Sequence, residues 1–324
     1  MLMSFLILAL LFLSFAGFRL SRFVRHNVLL RYSDRKAMLL HEQPVDVHSP
    51  RLGLYYADFR RCMVDAIYDE KGVAVFDENG APSYNPCAVS EAALLAYEDF
   101  LKTGNPAAKE RFRRQLEWLS ENATKTDIGS CFYYTYDTDQ EVAPWGSGIA
   151  QGIAISALLR GSECFGNADY LNLARRVFLQ LDAPVNQGGF RYESPDLGLW
   201  YEEDNHAGHI VNGHIYALLG VHDFYRVTGE PLFKERFDAG IDALAQSIPR
   251  FDLGFNTAYR LDVALPANNS YHLIHVTLFQ VLASITQDLR FAAGAQRFRR
   301  YHDETWFRVR TTIRLLKIAL DQRR

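Results

Sequence analysis

Three short turns of similar composition divide the chain at almost equal intervals: Thr103-Gly104-Asn105-Pro106, Phe165-Gly166-Asn167-Ala168 and Thr228-Gly229-Glu230-Pro231. Gly104, Gly166 and Gly229 are 62 and 63 residues apart. A glycine just past a helix end adopts the left-handed conformation at little cost. A proline in the next first turn gives up an N–H that has no intrahelical partner there. Apolar residues recur at helical spacing around these turns, over Val89 to Lys102, Ala107 to Ser120, Gly148 to Cys164, Asp169 to Leu181, His209 to Val227, Pro231 to Ile248 and Tyr271 to Thr286, with a last helical region at the C-terminus. Each unit is therefore expected to be a helical hairpin, and the fixed period predicts hairpins that stack or close into a circle.

Between the hairpins lie longer connections rich in Gly and aromatics: Cys131 to Trp145, Gly188 to Trp200 and Phe251 to Pro266. Their alternation predicts short β-hairpins. The expected fold class is mainly α, an α/α barrel or toroid of repeated helical hairpins with its site at the end where the long loops gather. A two-layer helical solenoid is the rival architecture.

The 324 residues, 48% hydrophobic and 23% charged, are enough for one substantial core. A net charge of -3 gives no broad cationic field, which argues against a nucleic-acid partner. Met1 to Phe18 is nearly all apolar and is followed by Arg19, Arg22 and Arg25. Residues 1–25 are read as a single-pass membrane anchor near the lower length limit, 26–53 as a linker, and 54–324 as the catalytic domain. The trailing arginines would favour a cytosolic body. Cys62, Cys87, Cys131 and Cys164 contain no CxxC pair, so buried free thiols are expected. Asn122-Ala-Thr124 and Asn268-Asn269-Ser270 are formal glycosylation sequons of low specificity.

Four segments carry chemistry. Trp145-Gly-Ser-Gly-Ile-Ala-Gln151-Gly-Ile-Ala-Ile-Ser156 opens one helix. Trp200-Tyr201-Glu202-Glu203-Asp204 precedes another, which contains Val211-Asn212-Gly213-His214-Ile215-Tyr216-Ala217-Leu218-Leu219-Gly220. Tyr259 follows a Gly- and Thr-containing stretch, and Tyr271-His272-Leu273-Ile274-His275 comes later. In this order they resemble the D-glucuronyl C5-epimerase family, over roughly Trp145 to Gln280, and Tyr84-Asn85-Pro86 adds a weaker match. Vertebrate members also carry N-terminal β domains, so the resemblance implies the helical catalytic domain with a short N-terminal extension.

Inverting C5 of a uronate removes a proton alpha to a carboxylate and returns one to the opposite face. Two acid/base groups must flank the ring, and the charge developing on the carboxylate must be stabilised. The resemblance implies Glu203 and Tyr271 for the two faces and Tyr259 as a further active-site tyrosine. A tyrosine needs cationic or hydrogen-bonding support to act as a base. Without the resemblance, Glu203 reads as acidic charge at a helix start, and most of the 17 tyrosines as packing residues. Trp145, Tyr201, Glu202, Asp204, Asn212, Gln151 and His272 are candidate substrate contacts, although Gln151 and Asn212 read equally well as satisfied core amides.

The chain departs from the family twice. Asp204 stands where the family has a Tyr after Glu-Glu, and Asp262 where it has an Arg. Arg260 and Arg191 are the candidates to replace that Arg. The expected activity is a polysaccharide-uronate C5-epimerase using no organic cofactor and no metal. Its expected partners are an anionic polysaccharide and, through the N-terminal segment, a membrane, with a homodimer as the possible assembly. A polysaccharide lyase would begin with the same proton abstraction, and a glycoside hydrolase would use paired carboxylates such as Glu202 and Glu203. The His206-x-x-His209 and His272-x-x-His275 pairs suggest a metal hydrolase more weakly.

Overall fold

The computed structural model describes residues 37–78, 81–138, 141–204 and 208–321. The expected membrane anchor and the first part of the expected linker lie outside these residues. Among the described residues no helix is long and apolar enough to cross a membrane.

The described residues open with an irregular segment and a small antiparallel sheet, β1 (Ile67–Tyr68), β2 (Ala74–Glu78) and β3 (Ala81–Ser83), which the sequence reading did not anticipate. The helical hairpins follow. The first is α1 (Pro86–Thr103) with α2 (Pro106–Asn122), then come β4 (Thr124–Lys125), β5 (Ser130–Cys131), β6 (Tyr133–Tyr134) and β7 (Trp145–Gly146). The second is α3 (Gly148–Phe165) with α4 (Ala168–Leu181), followed by β8 (Arg191–Ser194) and β9 (Gly198–Tyr201). The third is α5 (Val211–Thr228) with α6 (Pro231–Phe251), and the fourth is α7 (Asn269–Thr286) with α8 (Leu289–Asp303). A final helix α9 (Thr305–Asp321) packs on α8.

The turns behave as their composition predicts. Gly104, Gly166 and Gly229 cap their helices at φ 67°, 61° and 67°, and each donates its N–H back to a carbonyl of the last turn. Asn105 and Asn167 accept N–H bonds from the first turn of the following helix. The fourth turn does the same with Gln287, a non-glycine at φ 57°. That residue hid the fourth repeat from a glycine-based reading.

The helices form two layers of an α/α barrel. The inner helices α1, α3, α5 and α7 pack side by side in order, and each is covered outside by its hairpin partner. Inner helices are apolar nearly all round, as in Ile153-Ala154-Ile155 and Ala157-Leu158-Leu159 of α3, because both flanks and the outer face meet protein. Outer helices keep a narrower stripe, such as Phe112, Leu116 and Leu119 of α2, and turn their charges to solvent. Between α3 and α5 the backbones nearly touch. A Cβ on Gly152 would lie 2.5 Å from the Tyr216 carbonyl, and one on Gly220 would lie 2.5 Å from that of Gly152.

Residues 37–53, expected as a loosely packed linker, enter the core together with 54–63 of the expected catalytic domain. Met38, Leu52, Tyr56 and Phe59 are at most 3% exposed and belong to the core. The Met38 carbonyl accepts from Thr277 of α7, the Leu52 carbonyl from Tyr97 of α1, and the Tyr56 hydroxyl donates to Asp223 of α5. Arg160 and Arg226 reach the backbone carbonyls of Gly53, Ser49 and Asp46. The segment is a plug joining inner helices near their C-terminal ends. Its low hydrophobic periodicity concealed this, because helix arginines hold it through its backbone.

Candidate active site

The N-terminal ends of the inner helices and the long connections meet at the other end of the barrel. Glu203 follows β9 and comes to rest against the start of α5. That approach requires Gly213, since a Cβ there would stand 2.5 Å from Glu203 Cβ and 2.6 Å from its Oε2. Asn212 Nδ2 donates to Glu203 Oε2 at 3.0 Å, and the Tyr259 hydroxyl donates to Oε1 at 3.5 Å. Tyr259 in turn meets Tyr271, on the first turn of α7, edge to face with ring centroids 5.0 Å apart. Glu203, Tyr259 and Tyr271 thus form one row, joined by a hydrogen bond and a ring contact.

The electrostatics of the row are unusual. Burial and the Asp204 charge push the Glu203 carboxyl up to about 7, against the pull of the Tyr259 and Asn212 hydrogen bonds. Burial and the charge of Glu203 raise Tyr271 to about 12, and raise Tyr259 further. Near neutral pH the row offers a carboxylate poised to accept a proton beside phenols that hold theirs.

Supporting groups fix the row. The Tyr201 N–H donates to His214 Nδ1 at 2.9 Å, while Nε2 donates to the Gly240 carbonyl at 3.1 Å and the imidazole stacks on Trp200. That ring ties β9 to α5 and α6 and is held neutral, its pKa lowered by burial to about 3. On the Tyr259 side, Thr257 Oγ1 lies 2.9 Å from His272 Nδ1 and 2.8 Å from His275 Nδ1. His272 Nε2 faces the Phe298 carbonyl, which only accepts, so Nε2 carries the proton and Nδ1 accepts from the Thr257 hydroxyl. His275 Nδ1 must then be the donor to Thr257 Oγ1. The Tyr-His-x-x-His pair is thus a clamp holding the Tyr259 loop to α7, and His272 has no nitrogen left for a metal or a sugar.

The family described as D-glucuronyl C5-epimerase C-terminus matches residues 132–300, which is 169 of the 324 residues and more than half of the chain. The chain belongs to this D-glucuronyl C5-epimerase C-terminus family. It is 30% identical over 174 residues to the D-glucuronyl C5-epimerase of Caenorhabditis elegans, covering 48% of this chain and 28% of that protein. An uncharacterized protein of Methanocaldococcus jannaschii is 24% identical over 205 residues, covering 57% of this chain and 66% of its own length. The chain therefore spans less than two thirds of either relative. Among solved structures, the cellobiose 2-epimerase from Bacillus thermoamylovorans B4167 superposes with a TM-score of 0.52 at 15% identity, over 72% of this chain and 66% of the other, a likeness of α/α-barrel fold.

Within this family member the other candidate contacts divide. Trp145 stacks flat on Tyr134, with centroids 3.9 Å apart, and its Nε1 donates to the Tyr136 carbonyl. The Tyr136 hydroxyl accepts from Asn85, the cap of α1, so this aromatic platform is joined to the first inner helix. Gln151 is fully buried and bonds both Phe132 backbone groups and the Ser147 carbonyl. It is a core amide, and its candidacy as a sugar contact is withdrawn. The Tyr201 hydroxyl donates to Asp182, where Arg191 and Arg236 also converge, so neither Tyr201 nor Arg191 directs its polar end at Glu203. Asp262 engages Arg260 side-on through Nε and Nη2, and Arg191 is engaged by the Asp182 carbonyl and Glu193, so both guanidinium groups already pair with protein acceptors.

Glu202 is 1% exposed and holds both the N–H and Nδ1 of His209, which sits at φ 53°. Its carboxylate is used to pin that strained backbone, which weakens the paired-carboxylate hydrolase reading. His206 lies outside the described residues. The sequence reading missed Tyr134, Thr257 and Glu91. Glu91 left a signal, a lone acid within the apolar run Val89-Ser90-Glu91-Ala92-Ala93-Leu94.

Proposed function

We propose that the chain is a uronate C5-epimerase acting within an anionic polysaccharide, with Glu203 and Tyr271 as the proton-transfer groups. The observation that supports this most is the row Glu203, Tyr259, Tyr271, in which a carboxylate with pKa near 7 stands beside protonated phenols. Glu203 removes the C5 proton from one face of the ring, and the Tyr271 hydroxyl delivers its proton to the other. The enzyme is left with a neutral Glu203 and a Tyr271 phenolate. Tyr259, hydrogen-bonded to Glu203 and packed against Tyr271, provides a route to return the proton from Glu203 to Tyr271 and close the cycle. A base that titrates near the working pH is well matched to this task.

With no cation beside it among the described residues, Tyr271 serves better as the acid than as the base. The direction in which Glu203 abstracts should therefore be the faster one. The test is incubation of the protein with a panel of uronate polymers in heavy water. Deuterium at C5 without chain cleavage is expected; an unsaturated, ultraviolet-absorbing uronate would make the protein a lyase instead. Membrane attachment through residues 1–25 and a homodimer remain part of the proposal, testable by fractionation and light scattering.

A further inference from the structure

Proton abstraction beside a carboxylate spreads a second negative charge over the carboxyl oxygens, and a site must supply a cation or a proton donor to hold it. Asp262 stands at the family's Arg position, and Arg260 is bound to Asp262. The structure offers another group. Glu91 lies on inner helix α1, one turn below Cys87 on the same face, its carboxylate 3.8 Å from the Cys87 thiol. Since α1 starts at the loop end, Glu91 lies roughly 6 Å deeper in the barrel than Cys87.

Its surroundings locate it between the row and the plug. The Glu91 charge acts on Tyr271 of α7, Tyr134 of β6, Tyr216 of α5, and Tyr55 and Cys62 of the plug. Cys87 feels both Glu91 and Glu203. All but Glu203 of these titratable neighbours are neutral phenols or thiols. Among the described residues no Lys, Arg or His contributes to holding Glu91 ionised. Although it lies deep among these groups, Glu91 is only partly buried.

We propose that Glu91, as a neutral carboxylic acid, is the donor that receives the substrate's uronate carboxylate, hydrogen-bonding it through its O–H. The proton stays on Glu91 throughout and no bond to it is broken; the hydrogen bond strengthens as charge grows on the acceptor. Burial raises the Glu91 carboxyl to about 7, which keeps the proton available near neutrality. A carboxylic acid held neutral in an apolar pocket is a known way to stabilise an enolate-like oxyanion. The assignment rests on the epimerase reading for its catalytic value, but it predicts carboxylate recognition by itself.

The experiment measures binding by calorimetry from pH 5.5 to 8.5 in a Glu203→Gln background, which removes both turnover and Glu203 titration. The probes are a hexasaccharide alternating glucuronate with N-acetylglucosamine and its carboxyl-reduced counterpart. The parent should prefer the acid form by about tenfold or more at low pH, a hydrogen bond to a charged group, and lose that preference as pH rises through about 7. Glu91→Gln, which keeps a donor and cannot titrate, should hold the preference across the whole range, whereas Glu91→Leu should lose it at every pH. A preference in Glu91→Leu equal to the parent's, or a pH-independent one in the parent, would overturn the assignment. C5 exchange by the unmodified protein, run in parallel, tests the epimerase reading separately.

Discussion

Two carboxylates, the fully buried Asp223 and the half-buried Glu203, sit near opposite ends of the same inner helix, and their surroundings could hardly differ more. Asp223, fully buried, accepts from Arg160 at 2.7 Å, Arg226 at 3.2 Å and the Tyr56 hydroxyl at 2.7 Å. Burial alone would raise its pKa, but the two guanidinium groups more than offset this and hold it low. Glu203 has an amide and a phenol for company and a second carboxylate, Asp204, beside it. One end of the helix satisfies its charge and secures the plug. The other has no counter-cation among the described residues, and that is the end with the reactive geometry.

The largest effect expected from this comparison is on chemistry. Glu203→Gln and Tyr271→Phe remove a proton-transfer group with little change of volume, and each should cut C5 exchange by roughly 10²- to 10⁴-fold while retaining polymer binding. Exchange followed by NMR in heavy water, with glucuronate-rich and iduronate-rich polymers, should show the two variants impaired in opposite half-reactions. Near-normal turnover in either variant removes its assigned role.

At the satisfied end the expected effect is on stability. Asp223→Ala leaves Arg160 and Arg226 buried without their counter-charge, which costs about 3–5 kcal/mol. Denaturant unfolding should show that loss, while exchange per folded molecule stays within a few-fold of normal. An Asp223→Ala protein as stable as the parent would mean that the plug is held by its apolar contacts alone.

The contrast also explains what could be read in advance. The helices and three turns were legible because Gly, Asn and Pro act through local backbone chemistry, and the β-hairpins at Trp145 and Trp200 through alternation. The fourth turn was not, since Gln287 adopts the same left-handed conformation without announcing it. Glu203, Tyr259 and Tyr271 came from motif resemblance, and nothing local to each marks it. Gln151 and Tyr201 share those motifs, yet the fold turns their polar ends elsewhere. Which way a side chain faces depends on packing partners more than 50 residues distant, as with Tyr259 and Glu203. The plug was illegible because its partners are arginines on other helices.

A third test separates the two ends by pH. Glu203 titrates at about 7 in the folded protein against 4.5 for the free side chain, so the folded state binds this proton more tightly. Its contribution to stability is present below the unfolded pKa and is lost as pH rises through about 7. Glu203→Gln should therefore be more stable than the parent at pH 8 by about 1–3 kcal/mol, with the difference vanishing near pH 4. The Asp223 pair has the opposite sign, its stabilisation fading only as acid protonates the carboxylate. Thermal melts across that range decide between them. A Glu203→Gln gain that is the same at both pH values would point to packing rather than charge.

The smallest effect concerns the two departures from the family. Asp262 holds Nε and Nη2 of Arg260, and Arg260 lies one residue from Tyr259 and opposite Ile210 in a β-bridge at the rim. Asp262→Ala would free that guanidinium to meet an anionic group on the polymer. Asp204→Tyr would remove a charge that helps raise Glu203 and restore the aromatic of the family pattern. Both changes act at exposed or half-exposed positions, where a single ion pair contributes about 0–1 kcal/mol. Shifts in kcat/KM between sulfated and unsulfated polymers should therefore be only about two- to fivefold. Asp262→Ala should favour the more anionic polymer. Asp204→Tyr should in addition lower the pH at which exchange reaches half its maximum, because the neighbouring charge no longer opposes ionisation of Glu203. An unchanged pH profile in Asp204→Tyr would show that burial, and not the neighbouring charge, sets the basicity of Glu203.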